Sequence, residues 1–165
     1  MIDVRMAQIK DIPQISLVLA ESWKLAYRGI VDDDYLDSLK TDHWAEFLTN
    51  GLSGDTIFSM VLLDNQDIVG ASILSKSEKH GETHMMSLYL LSDKIGKGYG
   101  HKFYCDIENE VKSRGYARCF LDVLTNNKRA IRFYKAHGFI DSGVEETTVL
   151  GKREYSYRVF YKELI

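Results

Sequence analysis

The segment Lys94-Ile95-Gly96-Lys97-Gly98-Tyr99-Gly100 lies between an apolar run ending at Leu91 and an amphipathic stretch from His101, and it constrains the fold more than any other part of the chain. Glycine at every second position lets the backbone turn sharply and leaves its N–H groups uncovered. If a helix begins near Gly98, its N-terminal dipole adds to those donors and the loop becomes an anion site. The same glycines would also serve a tight connection that binds nothing. Two familiar phosphate loops are excluded. The Walker pattern needs Ser or Thr after its Gly-Lys, and Gly96-Lys97 is followed by Gly98. The dinucleotide fingerprint needs a third glycine where His101 or Phe103 stands.

A second cluster, Asn127-Lys128-Arg129-Ala130-Ile131-Arg132-Phe133-Tyr134-Lys135-Ala136-His137-Gly138-Phe139, follows some thirty residues later. Asn126 or Asn127 can cap a helix with Ala130, Ile131, Phe133 and Tyr134 on one stripe, and Gly138 can stop it. Its cations are those of a solvated face, one or two of which could meet phosphates.

Around these clusters the periodicity predicts alternating elements. A strand over 3–7 precedes a helix over 12–27 and short helices over 32–39 and 42–48. Strands over 56–63 and 68–75 form a hairpin across Asp64-Asn65-Gln66-Asp67, and a third strand covers 83–91. A helix over 98–112 carries Phe103, Tyr104, Ile107 and Val111 on one face. A strand over 118–124, the Asn127 helix and strands over 139–148 and 155–162 complete the chain. An antiparallel run followed by a β-α-β-α unit is a mixed α/β arrangement.

The chain is one domain by length, 165 residues with 45% hydrophobic content, and Pro13 is its only proline. Residues 1–10 lack an apolar signal core and no apolar run is long enough for a bilayer, so the expectation is a cytoplasmic protein without a membrane partner. A net charge of -3 gives no general attraction for nucleic acid. Cys105 and Cys119 have no spaced partners and read as packed thiols, neither a disulfide framework nor a metal site.

Taken together, the two clusters resemble the GNAT N-acetyltransferase superfamily, in which a Gln/Arg-Gly-x-Gly-x-Gly/Ala loop binds the coenzyme A pyrophosphate and an Asn-x-x-Ala...Tyr...Gly-Phe helix flanks the pantetheine arm. Leu88-Tyr89-Leu90 with Ile95, Gly96, Lys97, Gly98, Tyr99 and Gly100 matches the first motif, and Asn127, Ala130, Tyr134 and Gly138-Phe139 match the second. Ile95 stands where the family usually has Gln or Arg, so binding there must rest on backbone N–H groups and Lys97.

The resemblance implies a single GNAT-like α/β domain with a central twisted, mostly antiparallel mixed sheet, flanked by helices and splayed between its fourth and fifth strands, where acetyl-coenzyme A enters. It implies transfer of the acetyl group to a small-molecule or peptide amine, with a degenerate acyl-coenzyme A sensor as the alternative, and it leaves room for a homodimer. Tyr134 is then the acid that protonates the departing thiolate, and a backbone N–H near Leu90 meets the oxyanion. Counted back from Leu88 with period 2, Met86, His84 and Glu82 share the face of Leu88 and Leu90. His84 could therefore be the base, oriented by Glu82, or an ordinary strand histidine with water as the base. Trp23 and Tyr27 could form an aromatic wall at the acceptor side, or simply pack in the core.

Overall fold

Residues 1–76 and 81–165 are described in the computed structural model. Alternating side chains build the first half of the sheet. β1 (Ile2–Met6), β2 (Ile57–Asp64), β3 (Asp67–Ser75) and β4 (Glu82–Leu90) pair in succession, all antiparallel. The β2–β3 connection is tighter than the sequence suggests. Asn65 and Gln66 take φ of 50° and 78°, the two left-handed residues that a two-residue hairpin matched to strand twist requires.

The second half adds β5 (Arg118–Leu124), β6 (Ile140–Leu150) and β7 (Arg153–Glu163), giving one seven-stranded sheet in the order β1-β2-β3-β4-β5-β7-β6. Between β4 and β5 the strands are parallel, and they pair only over Glu82–Arg118, Thr83–Cys119 and His84–Phe120. Past that short contact the backbones part and leave a V-shaped gap.

Helices cover both faces. α1 (Ile12–Ala26) starts with Pro at its first turn and buries Ile12, Ile15, Val18, Leu19 and Ser22. With α3 (Ala45–Ser53) it packs on Ile57, Val61, Ala71 and Ile73. On the opposite face α4 (Tyr99–Ser113) buries Phe103, Tyr104, Ile107 and Val111 against Phe58, Met85, Leu121 and Phe160, and α5 (Lys128–Ala136) lays Ala130, Ile131, Phe133 and Tyr134 on the same core. A third cluster joins Tyr27, Val31, Leu124 and Leu36 of α2 (Asp33–Ser38), with Tyr89, Leu150 and Tyr155 packed against it. No helix among the described residues is long and apolar enough to cross a membrane.

The structure corrects two expectations. The second short helix spans Ala45–Ser53 rather than 42–48, because Trp44 N–H donates to Ser16 Oγ and residues up to 44 are held in turns. Gly51 does not stop it, since its bare Cα lies against Ile57.

The larger correction concerns β4. Ile73 pairs with Ser87 but Leu74 pairs with Met85, so Met86 is the extra residue of a β-bulge. Strict alternation fails there. Met85, Leu88 and Leu90 face the α4–α5 core, whereas His84 and Glu82 share the other face with Tyr89.

Candidate active site

The glycine loop reaches α4 through a 3-10 turn at Ser92–Lys94. Gly96 and Gly98 have φ of 79° and 83°, a conformation that L side chains rarely adopt, and Gly98 is the N-cap of α4. Among the described residues no backbone or side-chain acceptor engages the N–H groups of Gly96, Lys97 or Gly98. The first helical N–H groups, from Tyr99 on, have no carbonyl a turn behind them, and the first such bond runs from Lys102 to Gly98. A row of unsatisfied donors at the positive end of a fifteen-residue helix fits an anionic diphosphate. Ile95 is exposed and adds no polar group.

The loop, β4 and α5 meet at Gly100. A Cβ there would lie 3.4 Å from Phe133 Cε2 and 3.6 Å from Leu90 Cδ1, so both sequence clusters border one cleft. Leu91 N–H donates to Val69 on β3. By alternation Tyr89 also bonds toward β3, while Leu88 and Leu90 turn their N–H and C=O groups toward the gap. Ser22 Oγ takes the Leu90 carbonyl at 3.1 Å, leaving the Leu88 and Leu90 N–H groups and the Leu88 C=O as an open strand edge. Such an edge suits the amides of a pantetheine arm. Across the gap Asn127 caps α5, its Oδ1 accepting from Ala130 N–H at 3.3 Å. Lys128, Arg129, Arg132 and Lys135 are all exposed. Lys128 Nζ bonds the Thr125 carbonyl.

Tyr134 packs edge-on against Phe133 and Phe139, with ring centroids 5.5 and 5.7 Å away. Its hydroxyl has no hydrogen-bond partner among the described residues. Burial pushes its pKa well up, with smaller contributions from Tyr27 and Cys119, so it stays a neutral O–H donor.

Trp23 and Tyr27 stand together at the end of α1, 4.6 Å between rings, and Trp44 and Tyr89 complete an aromatic box with Trp23 at 5.5 and 6.4 Å. Tyr27 and Tyr89 share a hydrogen bond of 2.7 Å between hydroxyls. Desolvation raises both pKa values, that of Tyr89 further because the neighbouring tyrosines add to it.

His84 and Glu82 lie on one face of β4. Glu82 lies 3.8 Å from Arg118, which Glu163 also holds. The carboxylate beside His84 is Asp122 of β5, its Oδ2 3.4 Å from Nε2. Asp122 escaped notice because one carboxylate in the strand Arg-Cys-Phe-Leu-Asp-Val-Leu carries no motif. Its alternation with buried Leu121 and Val123 does put it on the open face, and that signal was readable. Tyr89 and Trp44 carry no such signal, because their rings meet Trp23 only once β4 and the start of α3 are packed against the end of α1. Among the described residues no group of three or more His, Cys, Asp or Glu could hold a metal ion.

Residues 18–139 match the acetyltransferase (GNAT) family. The spermidine N(1)-acetyltransferase of Thermoplasma acidophilum is 25% identical over 160 residues, covering 93% of this chain and 98% of the relative. The N-acetyltransferase YuaI of Bacillus subtilis, itself uncharacterised, is 28% identical over 141 residues, covering 83% and 79%. Among solved structures, the PaiA N-acetyltransferase of Thermoplasma acidophilum in complex with coenzyme A superposes with a TM-score of 0.79 over 99% of both chains at 23% identity, a likeness of fold.

Proposed function

Because the chain belongs to the acetyltransferase (GNAT) family, whose cosubstrate is acetyl-coenzyme A, we propose that residues 1–165 act as one N-acetyltransferase domain that moves the acetyl group directly to a primary amine of a small molecule or peptide. The pantetheine amides pair with the Leu88–Leu90 edge and the pyrophosphate sits on the N–H groups of the glycine loop, Ile95 to Gly100, beside Lys97. Asn127 and Ala130 line the opposite side at the start of α5.

The amine's lone pair attacks the thioester carbonyl carbon, and the carbonyl π electrons move to oxygen, where the Leu90 N–H meets the charge. The tetrahedral centre then collapses and the C–S bond breaks. Tyr134 donates its hydroxyl proton to the departing sulfur, and the proton shed by the amine goes to His84. Trp23 and Tyr27 hold the acceptor by its apolar stem and by cation–π attraction to its charged remainder. Glu82, on the face of His84, adds negative charge there.

The observation that carries this reading is the cleft where the glycine loop, Leu90 and Phe133 of α5 meet at Gly100 beside the parted β4 and β5, with the neighbouring Tyr134 hydroxyl without a hydrogen-bond partner among the described residues. The name of the spermidine acetyltransferase relative supports amines, polyamines among them, as the acceptor class. The same reading places the enzyme in the cytoplasm without nucleic acid or membrane partners, and leaves a homodimer open. Thiol release from acetyl-coenzyme A, measured across polyamines, amino acids, aminoglycosides and peptides, tests it. Turnover with at least one amine is expected; none with any of them would overturn the transferase reading.

A further inference from the structure

We propose that Asp122 is the positioning residue of His84, so that the two side chains form one proton-accepting unit across the root of the splayed gap. The inference rests on His84 being the base of the proposed transfer.

The geometry points to Asp122. His84–Phe120 is the last backbone pair between β4 and β5. Asp122 is two residues further along β5, on the face that His84 shares, where the strands have already parted. The Nε2–Oδ2 approach of 3.4 Å therefore spans the opening with side chains where backbone bonds have ceased. The 3.4 Å contact is not itself a hydrogen bond, but an Nε2–H directed along it would hold one tautomer and leave the Nδ1 lone pair to receive a proton. Without such a partner the ring would rotate and exchange tautomers.

Among the described residues Asp122 is the carboxylate that the structure pairs with His84. Glu82 lies 3.8 Å from Arg118, which Glu163 also binds. From β7, Tyr157 donates to Glu146 at 2.7 Å, and Tyr161 lies beside Phe120. Above, Tyr27 and Tyr89 satisfy one another. Folding does not explain the pair either. Both side chains are more than a third exposed, at 37% and 41%, and ion pairs so placed contribute at most about 1 kcal/mol to stability.

The test has a readout that needs no turnover. In coenzyme-free protein the ring-nitrogen shifts of 15N-labelled His84 should report the Nε2–H tautomer. Asp122→Ala should scramble it, and Asp122→Asn, whose amide can donate to Nε2 as readily as accept from it, should not restore it. With an accepted amine, Asp122→Ala should lower kcat by about tenfold while the amine's KM changes less than about twofold, and Asp122→Asn should lower kcat as well. In a His84→Ala background the Asp122 substitution should add nothing. An unchanged tautomer in Asp122→Ala, or a raised KM with an unchanged kcat, overturns the proposal, the second outcome making Asp122 a contact of the substrate. Full activity in His84→Ala would instead overturn the base assignment itself. Asp122 is exposed, so these variants fold and the outcomes stay readable.

Discussion

Tyr27 and Tyr89 hold their hydroxyl oxygens 2.7 Å apart, closing the seam between the end of α1 and the gap-facing end of β4. Among the described residues each hydroxyl is the other's sole hydrogen-bond partner, and Tyr27 is buried. Tyr27→Phe therefore leaves a desolvated O–H on Tyr89 and should cost about 1–2 kcal/mol. The double variant with Tyr89→Phe should be no worse than Tyr27→Phe alone, because both ends of the bond are then gone. Urea unfolding of the three variants checks this; additive losses would mean that the pair does not interact.

Gly98 offers a clean probe of the phosphate loop. No heavy atom lies within 4 Å of a Cβ built there, so a side chain meets no protein, although φ of 83° strains it. Gly98→Val should keep the fold yet weaken coenzyme A binding at least tenfold, about 1.4 kcal/mol, by covering the N–H groups. Calorimetric titration decides it. Undiminished affinity in a folded variant would move the pyrophosphate elsewhere.

For Tyr134, substitution by Phe preserves the ring that packs against Phe133 and Phe139. Coenzyme affinity should hold within about twofold, while turnover falls by about a hundredfold or more as the sulfur loses its proton donor. Binding and thiol release measured on the same protein separate the roles. A fully active variant would remove Tyr134 from the mechanism.

Both sequence clusters, and the helices and strands that hold them, were legible because each rests on local chemistry: glycine φ at 96 and 98, the Asn127 cap, and the stripe Phe103–Tyr104–Ile107–Val111. The splay was legible through the family resemblance and not through periodicity. What the sequence could not give depends on partners remote in the chain. The Met86 bulge answers to the register of β3, and the start of α3 answers to Ser16 on α1. The Asp122 carboxylate reaches His84 from the neighbouring strand, 38 positions along the chain by difference of their numbers.

The pair Arg5–Asp11 predicts how the fold responds to acid. Arg5 donates two hydrogen bonds to the carboxylate, at 2.7 and 3.1 Å, and this holds the Asp11 pKa below its ordinary value despite burial. A depressed carboxylate pKa stabilises the fold above the unfolded value, about pH 4, and the contribution disappears as pH falls through the folded value. Arg5 is 35% exposed, so solvent discounts the effect, and Arg5→Met should cost about 1–2 kcal/mol at pH 7. Near pH 2 variant and wild type should differ little. Chemical denaturation at the two pH values checks the sign; an equal loss at both would assign the cost to packing.

The bulge at Met86 makes β4 a strand with two phases. Strict alternation through residues 82–90 would carry His84 down among the apolar side chains of α4 and turn Thr83 toward Asp122. One surplus residue lets the gap-facing end of the strand keep Leu88 and Leu90 on the α4–α5 face while its root presents an imidazole on the opposite one. The two ends are thereby uncoupled: side chains at 82 and 84 can change without altering the Leu88–Leu90 edge, and a deletion of one residue between them would exchange the two surfaces.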